Sequence, residues 1–315
     1  MSDDRWDPEM RAAREAMDIE AAKYPPIALQ PPFTQSRILN EHLAMMWGQG
    51  GPEMDATAEA WVTARGRRVQ CRVHRPSADR GLPVMIWFHG GGWVFQSIDT
   101  HDRLVRELAA ASGCAVVSVD YALAPEARFP VAVLECSEVV RRIAESGAGW
   151  GLDPQRMVLG GDSAGGNLAF ATALKLRDEA GPELRGLLTP YPVTCCQFTS
   201  PSYVEFAEGY GLTTAAMQAY WGLYLRDEAD RLNPLAAPLL ADLTGLPPTL
   251  IQLAELDVLR WDGEAMAAKL RAAGVDAILE VHPGVLHGFM RMTQPLARAR
   301  SAVASAGGWL RRVTA

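Results

Sequence analysis

The chain has no stretch of 18 or more consecutive apolar residues, so nothing in it reads as a membrane-spanning helix. Runs of basic residues are scarce too. None is longer than the pairs Arg67-Arg68, Arg141-Arg142 and Arg311-Arg312, and 30 Lys+Arg stand against 37 Asp+Glu for a net charge of −7. A nucleic-acid partner needs a basic face, and an anionic membrane surface needs a polybasic segment. Both are excluded as expected partners. The start, Met-Ser-Asp-Asp-Arg-Trp-Asp-Pro, has no basic stretch followed by an apolar one, so no secretory signal is read there. Cysteine is sparse and odd in number: Cys71, Cys114, Cys136, Cys195 and Cys196. Without paired spacing these are expected to be free thiols in a reducing cytoplasm. Adjacent Cys195 and Cys196 would bridge only with strained geometry. No flexible linker and no internal repeat is visible.

Apolar residues are abundant, at 49% of 315 positions. That suffices for a large core without a disulfide or metal staple. The first fifty residues stand apart, with Met10, Met17, Met45, Met46 and the pairs Pro25-Pro26 and Pro31-Pro32. Met10, Ala13, Met17 and Ala21 follow a helical repeat, which predicts one or two short amphipathic helices. Residues 58–63 and 67–75 alternate around Ala64-Arg65-Gly66, a hairpin signal. From residue 83 onward short apolar runs alternate with helical stretches. The runs are 84–88, 114–119, 157–159, 186–189, 250–253 and 278–281, and the helical stretches 104–111, 131–144, 167–176, 263–273 and 296–313. Continuous apolar strands belong to a parallel sheet buried on both faces. One stretch breaks the rhythm. Residues 195–235 are rich in aromatics (Phe198, Tyr203, Phe206, Tyr210, Tyr220, Trp221, Tyr224), and an insertion at a strand end is expected to cover a site.

Gly161-Asp162-Ser163-Ala164-Gly165 matches G-x-S-x-G between a predicted strand and a predicted helix. A serine in so tight a turn exposes its hydroxyl, and flanking glycines let backbones approach. Ser163 is therefore the candidate nucleophile. His89-Gly90-Gly91-Gly92-Trp93 follows the strand 84–88. Three glycines there suit an oxyanion hole, with N–H groups of Gly91, Gly92 and Ala164 as donors. His89 is expected to order that loop through its ring rather than to act as base. A serine hydroxyl needs a base, and in this kind of sheet the chain order is Ser, acid, His. Only His282 and His287 follow Ser163. His287 lies in a glycine-flanked loop and is preferred, since Pro283 constrains His282. For the acid, spacing favours Asp257 but leaves Glu255 and Asp262 open. Trp93, Phe95, Tyr191 and Phe289 sit beside these loops in sequence and are the candidate pocket walls.

Together these motifs resemble the bacterial hormone-sensitive-lipase-like (family IV) branch of the α/β-hydrolases. His-Gly-Gly-Gly matches 89–92, Gly-Asp-Ser-Ala-Gly-Gly matches 161–166, the Asp-Pro-Leu-x-Asp element aligns with Asp257-Val258-Leu259-Arg260-Trp261-Asp262, and His-Gly-Phe matches 287–289. The resemblance runs from about residue 60 to the end. Two departures are clear. Tyr-Arg-Leu-Ala-Pro-Glu reads Tyr121-Ala122-Leu123-Ala124-Pro125-Glu126, and the proline after the acid is Val258. The resemblance implies an α/β-hydrolase fold, a mostly parallel eight-stranded sheet with helices on both faces and a helical cap. The cap would be built from residues 1–50 and 195–235 around a core of 51–194 and 236–315. It places the acid at Asp257. It implies a serine carboxylesterase acting on small short- to medium-chain acyl esters, with no metal and no cofactor. An amidase, a peptidase or a xenobiotic-ester hydrolase would use the same three residues. Plant gibberellin receptors resemble the family but lack the histidine, which His287 supplies here. Family members often form homodimers through an edge strand or the last helix.

Overall fold

A computed structural model describes residues 4–315; the first three residues of the sequence, part of the start read above for a secretory signal and of the segment 1–50, lie outside them. The strands are β1 (Ala56–Ala64), β2 (Arg67–Arg75), β3 (Leu82–Phe88), β4 (Ala115–Asp120), β5 (Leu152–Gly161), β6 (Gly186–Pro190), β7 (Thr249–Leu256) and β8 (Ala277–Leu286). The helices are α1 (Pro8–Ala21), α2 (Thr34–Ala44), α3 (Asp102–Ser112), α4 (Val131–Ser146), α5 (Ala164–Asp178), α6 (Pro201–Glu205), α7 (Thr214–Tyr224), α8 (Arg260–Ala272) and α9 (Ala297–Val313).

The strands form one eight-stranded sheet in the order β1-β2-β4-β3-β5-β6-β7-β8. β1 and β2 form the hairpin read from the sequence, turning through Arg65 and Gly66 at φ 50° and 79°. β2 runs antiparallel to β4, and every later pairing is parallel. The continuous apolar runs explain the middle of the sheet: Val84 to Phe88, Ala115 to Val117 and Leu187-Leu188 are all buried. Helix pairs α3–α9 and α4–α5 pack together over it. α9 approaches α3 so closely at Gly307 that a Cβ there would lie 2.5 Å from that of Ala111. α8 ends as its sequence predicts, with Gly274 left-handed at φ 77° just beyond it.

Among the boundaries that differ from those read in the sequence, three bear on the site. α5 begins at Ala164 instead of Asn167, directly on the serine, and α8 begins at Arg260 rather than Gly263. β8 does not stop at Val281 but continues through Pro283 and Gly284 to Leu286. A register irregularity against β7 accommodates them, and Gly284 at φ 74° accepts from Asp7 N–H at 2.9 Å. A side chain at that glycine would meet the Asp7 backbone nitrogen at 2.6 Å. All five cysteines are free, and only Cys196 is less than buried. Among the described residues no helix is long and apolar enough to cross a membrane.

Candidate active site

β5 delivers Gly161 and Asp162 into a turn where Ser163 adopts φ 55°, ψ −119°, and α5 starts at the next residue. Glycine is required on both sides. A Cβ at Gly161 would lie 2.4 Å from the Gly165 carbonyl oxygen, and one at Gly165 only 1.9 Å from that of Phe88. Ser163 N–H donates to the Pro190 carbonyl at 3.0 Å, which ties the turn to β6. As the first residue of α5, Ala164 has an N–H with no partner inside its helix.

β7 and β8 bring the other two groups. Ser163 Oγ lies 2.9 Å from His287 Nε2, and His287 Nδ1 lies 2.7 Å from Asp257 Oδ2. Asp257 is buried, and its other oxygen accepts from Leu259 N–H at 2.9 Å. The alternatives left open by spacing lie elsewhere. His282 Nε2 faces Glu280 at 3.7 Å, Glu255 accepts from Gly284 N–H at 2.8 Å, and Asp262 accepts from the N–H groups of Thr194 and Cys195 at 2.9 and 3.2 Å. Burial pushes the Asp262 carboxyl up to about 7 against the lowering effect of those two amides.

The glycine loop after β3 stands beside the serine, with Gly91 and Gly92 at φ 110° and 61°. A Cβ at Gly91 would sit 2.2 Å from the Phe95 carbonyl oxygen, and one at Gly92 2.7 Å from the Tyr220 ring. His89 orders this loop. Its Nδ1–H donates to the Gly90 carbonyl at 2.7 Å, its ring stacks on Tyr121 at 4.3 Å, and the Tyr121 hydroxyl donates to its carbonyl at 2.7 Å. Burial, helped by the nearby His101, drives its ring pKa down to about 3, so it stays neutral.

Two residues overlooked in the sequence hold the loop from below. Asp162 Oδ1 accepts from Gly90 N–H at 3.0 Å and pairs with His101 Nε2 at 3.0 Å. Burial alone would raise the Asp162 carboxyl; the His101 charge and hydrogen bond outweigh it and keep it at about 2. Asp162 fills the variable position of G-x-S-x-G, and that was the available signal.

Ser163 and His287 open on a cavity of about 100 Å³, also lined by Phe95, Val193, Leu212, Met217, Tyr220 and Arg291. Of the four proposed walls, Phe95 alone lines it. Trp93, Tyr191 and Phe289 are fully buried outside its lining. Trp93 stacks on Tyr224 at 4.2 Å, while Tyr191 meets His287 edge-on at 4.8 Å and Phe289 at 5.8 Å. They support the site from behind. Adjacency in sequence does not fix the direction of a side chain, and Trp93 and Tyr191 take positive φ (61° and 35°) that turns them inward.

The family model described as the α/β hydrolase fold matches residues 85–291, and the chain belongs to that family. Within it, the chain falls in the hormone-sensitive-lipase-like branch of ester hydrolases. It is 40% identical to a carboxylesterase, NlhH, of Mycobacterium tuberculosis over 70% of this chain and 71% of that one. It is 36% identical to an ethyl acetate hydrolase of Pseudomonas putida, over 81% of this chain and 82% of that one. The crystal structure of a thermostable esterase from Pseudomonas putida superposes with a TM-score of 0.93 at 34% identity, covering 100% of this chain and 99% of that one.

Proposed function

We propose that the protein is a serine carboxylesterase that hydrolyses short- to medium-chain acyl esters through Ser163, His287 and Asp257. The observation that carries this reading is the unbroken hydrogen-bonded line from Asp257 through His287 to Ser163, ending in a small cavity beside Gly91 and Gly92. Asp257 fixes the His287 tautomer with its proton on Nδ1 and stabilises the ring once charged. His287 Nε2 takes the hydroxyl proton as Ser163 Oγ attacks the ester carbonyl. N–H groups of Gly91, Gly92 and Ala164 receive the oxyanion, and losing one such donor costs about 2.7–4 kcal/mol of transition-state stabilisation. The alcohol leaves with the proton from His287. Water, deprotonated by the same imidazole, then releases the acid from the acyl-serine.

The cavity volume of about 100 Å³ supports short acyl groups, since pockets for drug-sized ligands run to roughly 300–1,000 Å³. Asn40 from α2 and Met217 and Tyr220 from α7 line it, which supports reading the segments 1–50 and 195–235 as two parts of one cap. The test is a panel of p-nitrophenyl esters from acetate to palmitate. Turnover should peak between roughly two and eight acyl carbons. Ser163→Ala should lower it by roughly four or more orders of magnitude while leaving the fold intact. A peak at long chains sinks the chain-length reading, and an active alanine variant sinks the nucleophile.

A further inference from the structure

Arg291 stands four residues past His287, in the short helical turn Phe289–Arg291, and lines the same cavity as Ser163. Its Nε is buried without a partner, and among the described residues no hydrogen bond or ion pair engages its guanidinium. Other partly buried arginines of the chain are committed. Arg37 binds Glu126 and two carbonyls, and Arg106 binds Asp102 and two carbonyls. A buried guanidinium nitrogen left without a partner is costly unless a ligand completes it.

The nearby carboxylates do not complete it. Asp162 turns one oxygen, Oδ1, to Gly90 N–H and His101 and bonds Arg291 through neither, and Asp257 spends one oxygen each on Leu259 N–H and His287. Among the described residues Asp162 is the one acidic group in the cavity lining, and it feels Arg291 only through space. The remaining lining is apolar or neutral apart from His287. Thus the space next to the nucleophile offers a planar, unpaired cation whose geometry matches a carboxylate through two parallel N–H···O bonds.

We propose that Arg291 anchors a carboxylate on the substrate, so that the preferred substrates are small esters with an anionic group, such as half-esters of short dicarboxylic acids. The proposal rests on the ester-hydrolase reading above. The small cavity keeps the carboxylate within a few bonds of the scissile carbonyl, on either the acyl or the alcohol side.

Two substrate pairs separate those sides. 4-Nitrophenyl hydrogen glutarate against 4-nitrophenyl pentanoate probes the acyl side; 4-acetoxybenzoate against 4-tolyl acetate probes the alcohol side. In the wild type, the ratio of kcat/KM for the charged ester to that for its neutral partner should exceed one in at least one pair. In Arg291→Met that ratio should fall at least tenfold, mainly through KM, with Arg291→Lys between the two. Melting curves of both variants control for folding. Direct calorimetry of glutarate binding reads the same contact without turnover, and binding should disappear in Arg291→Met. Ratios unchanged within twofold in both pairs, or glutarate binding that ignores the substitution, overturn the proposal. If neither ester of any pair is hydrolysed but glutarate binds in an Arg291-dependent way, the ester reading fails and the anion site stands.

Discussion

Glycines 161 and 165 act at the scale of single atoms. A methyl group at Gly165 would lie 1.9 Å from the Phe88 carbonyl oxygen, a backbone atom that cannot swing aside. Gly165→Ala should therefore destabilise the fold by about 1–3 kcal/mol or more, read from the midpoint of urea unfolding. A wild-type midpoint would show that β3 and α5 yield easily. Two buried aspartates give opposite pH signatures. Asp162, held at about 2, contributes stability above the ordinary carboxyl range that is lost as pH falls from about 4 towards 2. Asp262, raised to about 7, keeps a proton in the folded chain that the unfolded chain has released. Its contribution is full below about 4 and fades as pH rises to about 7. The stability difference between wild type and Asp262→Asn should shrink across that window; parallel thermal-melting profiles from pH 5 to 8 would refute it. The serine, its glycines and the glycine loop were readable because each is demanded by a turn that few residues satisfy. Asp162 and His101 were not. Their value comes from a contact 61 residues apart that only the sheet creates.

Among the elements, α2 is tied to the core by two side chains, Glu41, which accepts from the Ser97 hydroxyl at 2.6 Å, and Arg37, which makes the wider set of bonds. Arg37 donates to the carbonyls of Val94 and Ala124 and to both oxygens of Glu126, joining α2 to the segments after the glycine loop and after β4. Glu126 is largely exposed, whereas the carbonyl contacts are partly buried. Glu126→Ala should thus cost no more than about 1 kcal/mol. Arg37→Ala should cost about 1.5–3 kcal/mol and raise KM, because Asn40 on the same helix lines the cavity. Equal losses in denaturant titrations of the two variants would assign the energy to the ion pair instead. The inner strands were legible as continuous apolar runs because both of their faces are buried. The end of β8 was not, since Pro283 and Gly284 read locally as a stop. In the fold, Glu255 and Asp7 take up the Gly284 backbone groups and let the strand run on to His287.

For the molecule as a whole, the site is assembled at the carboxyl ends of β3, β5, β7 and β8, which lie side by side except for β6. This is the general rule for open α/β sheets, and it explains why four motifs far apart in the chain meet. The overall architecture was legible for the same reason: alternation of element types is a long-range pattern that survives errors at individual boundaries. Side-chain direction at the rim was not, because it depends on backbone twists such as the positive φ of Trp93 and Tyr191.

The free cysteines give this architecture a set of built-in clocks. Burial raises every one of their thiols, that of the least buried, Cys196, up to about 11. Thiolate is the reactive form, so the folded chain should react slowly with an aromatic disulfide reagent and spare its hydrolytic activity. Cys71 lies in β2, Cys114 immediately before β4, Cys136 in α4, and the adjacent pair beyond β6. Pulse labelling in rising urea, followed by mapping of the modified peptides, would time the exposure of each region separately, and the order of modification would reveal which part of the sheet lets go first.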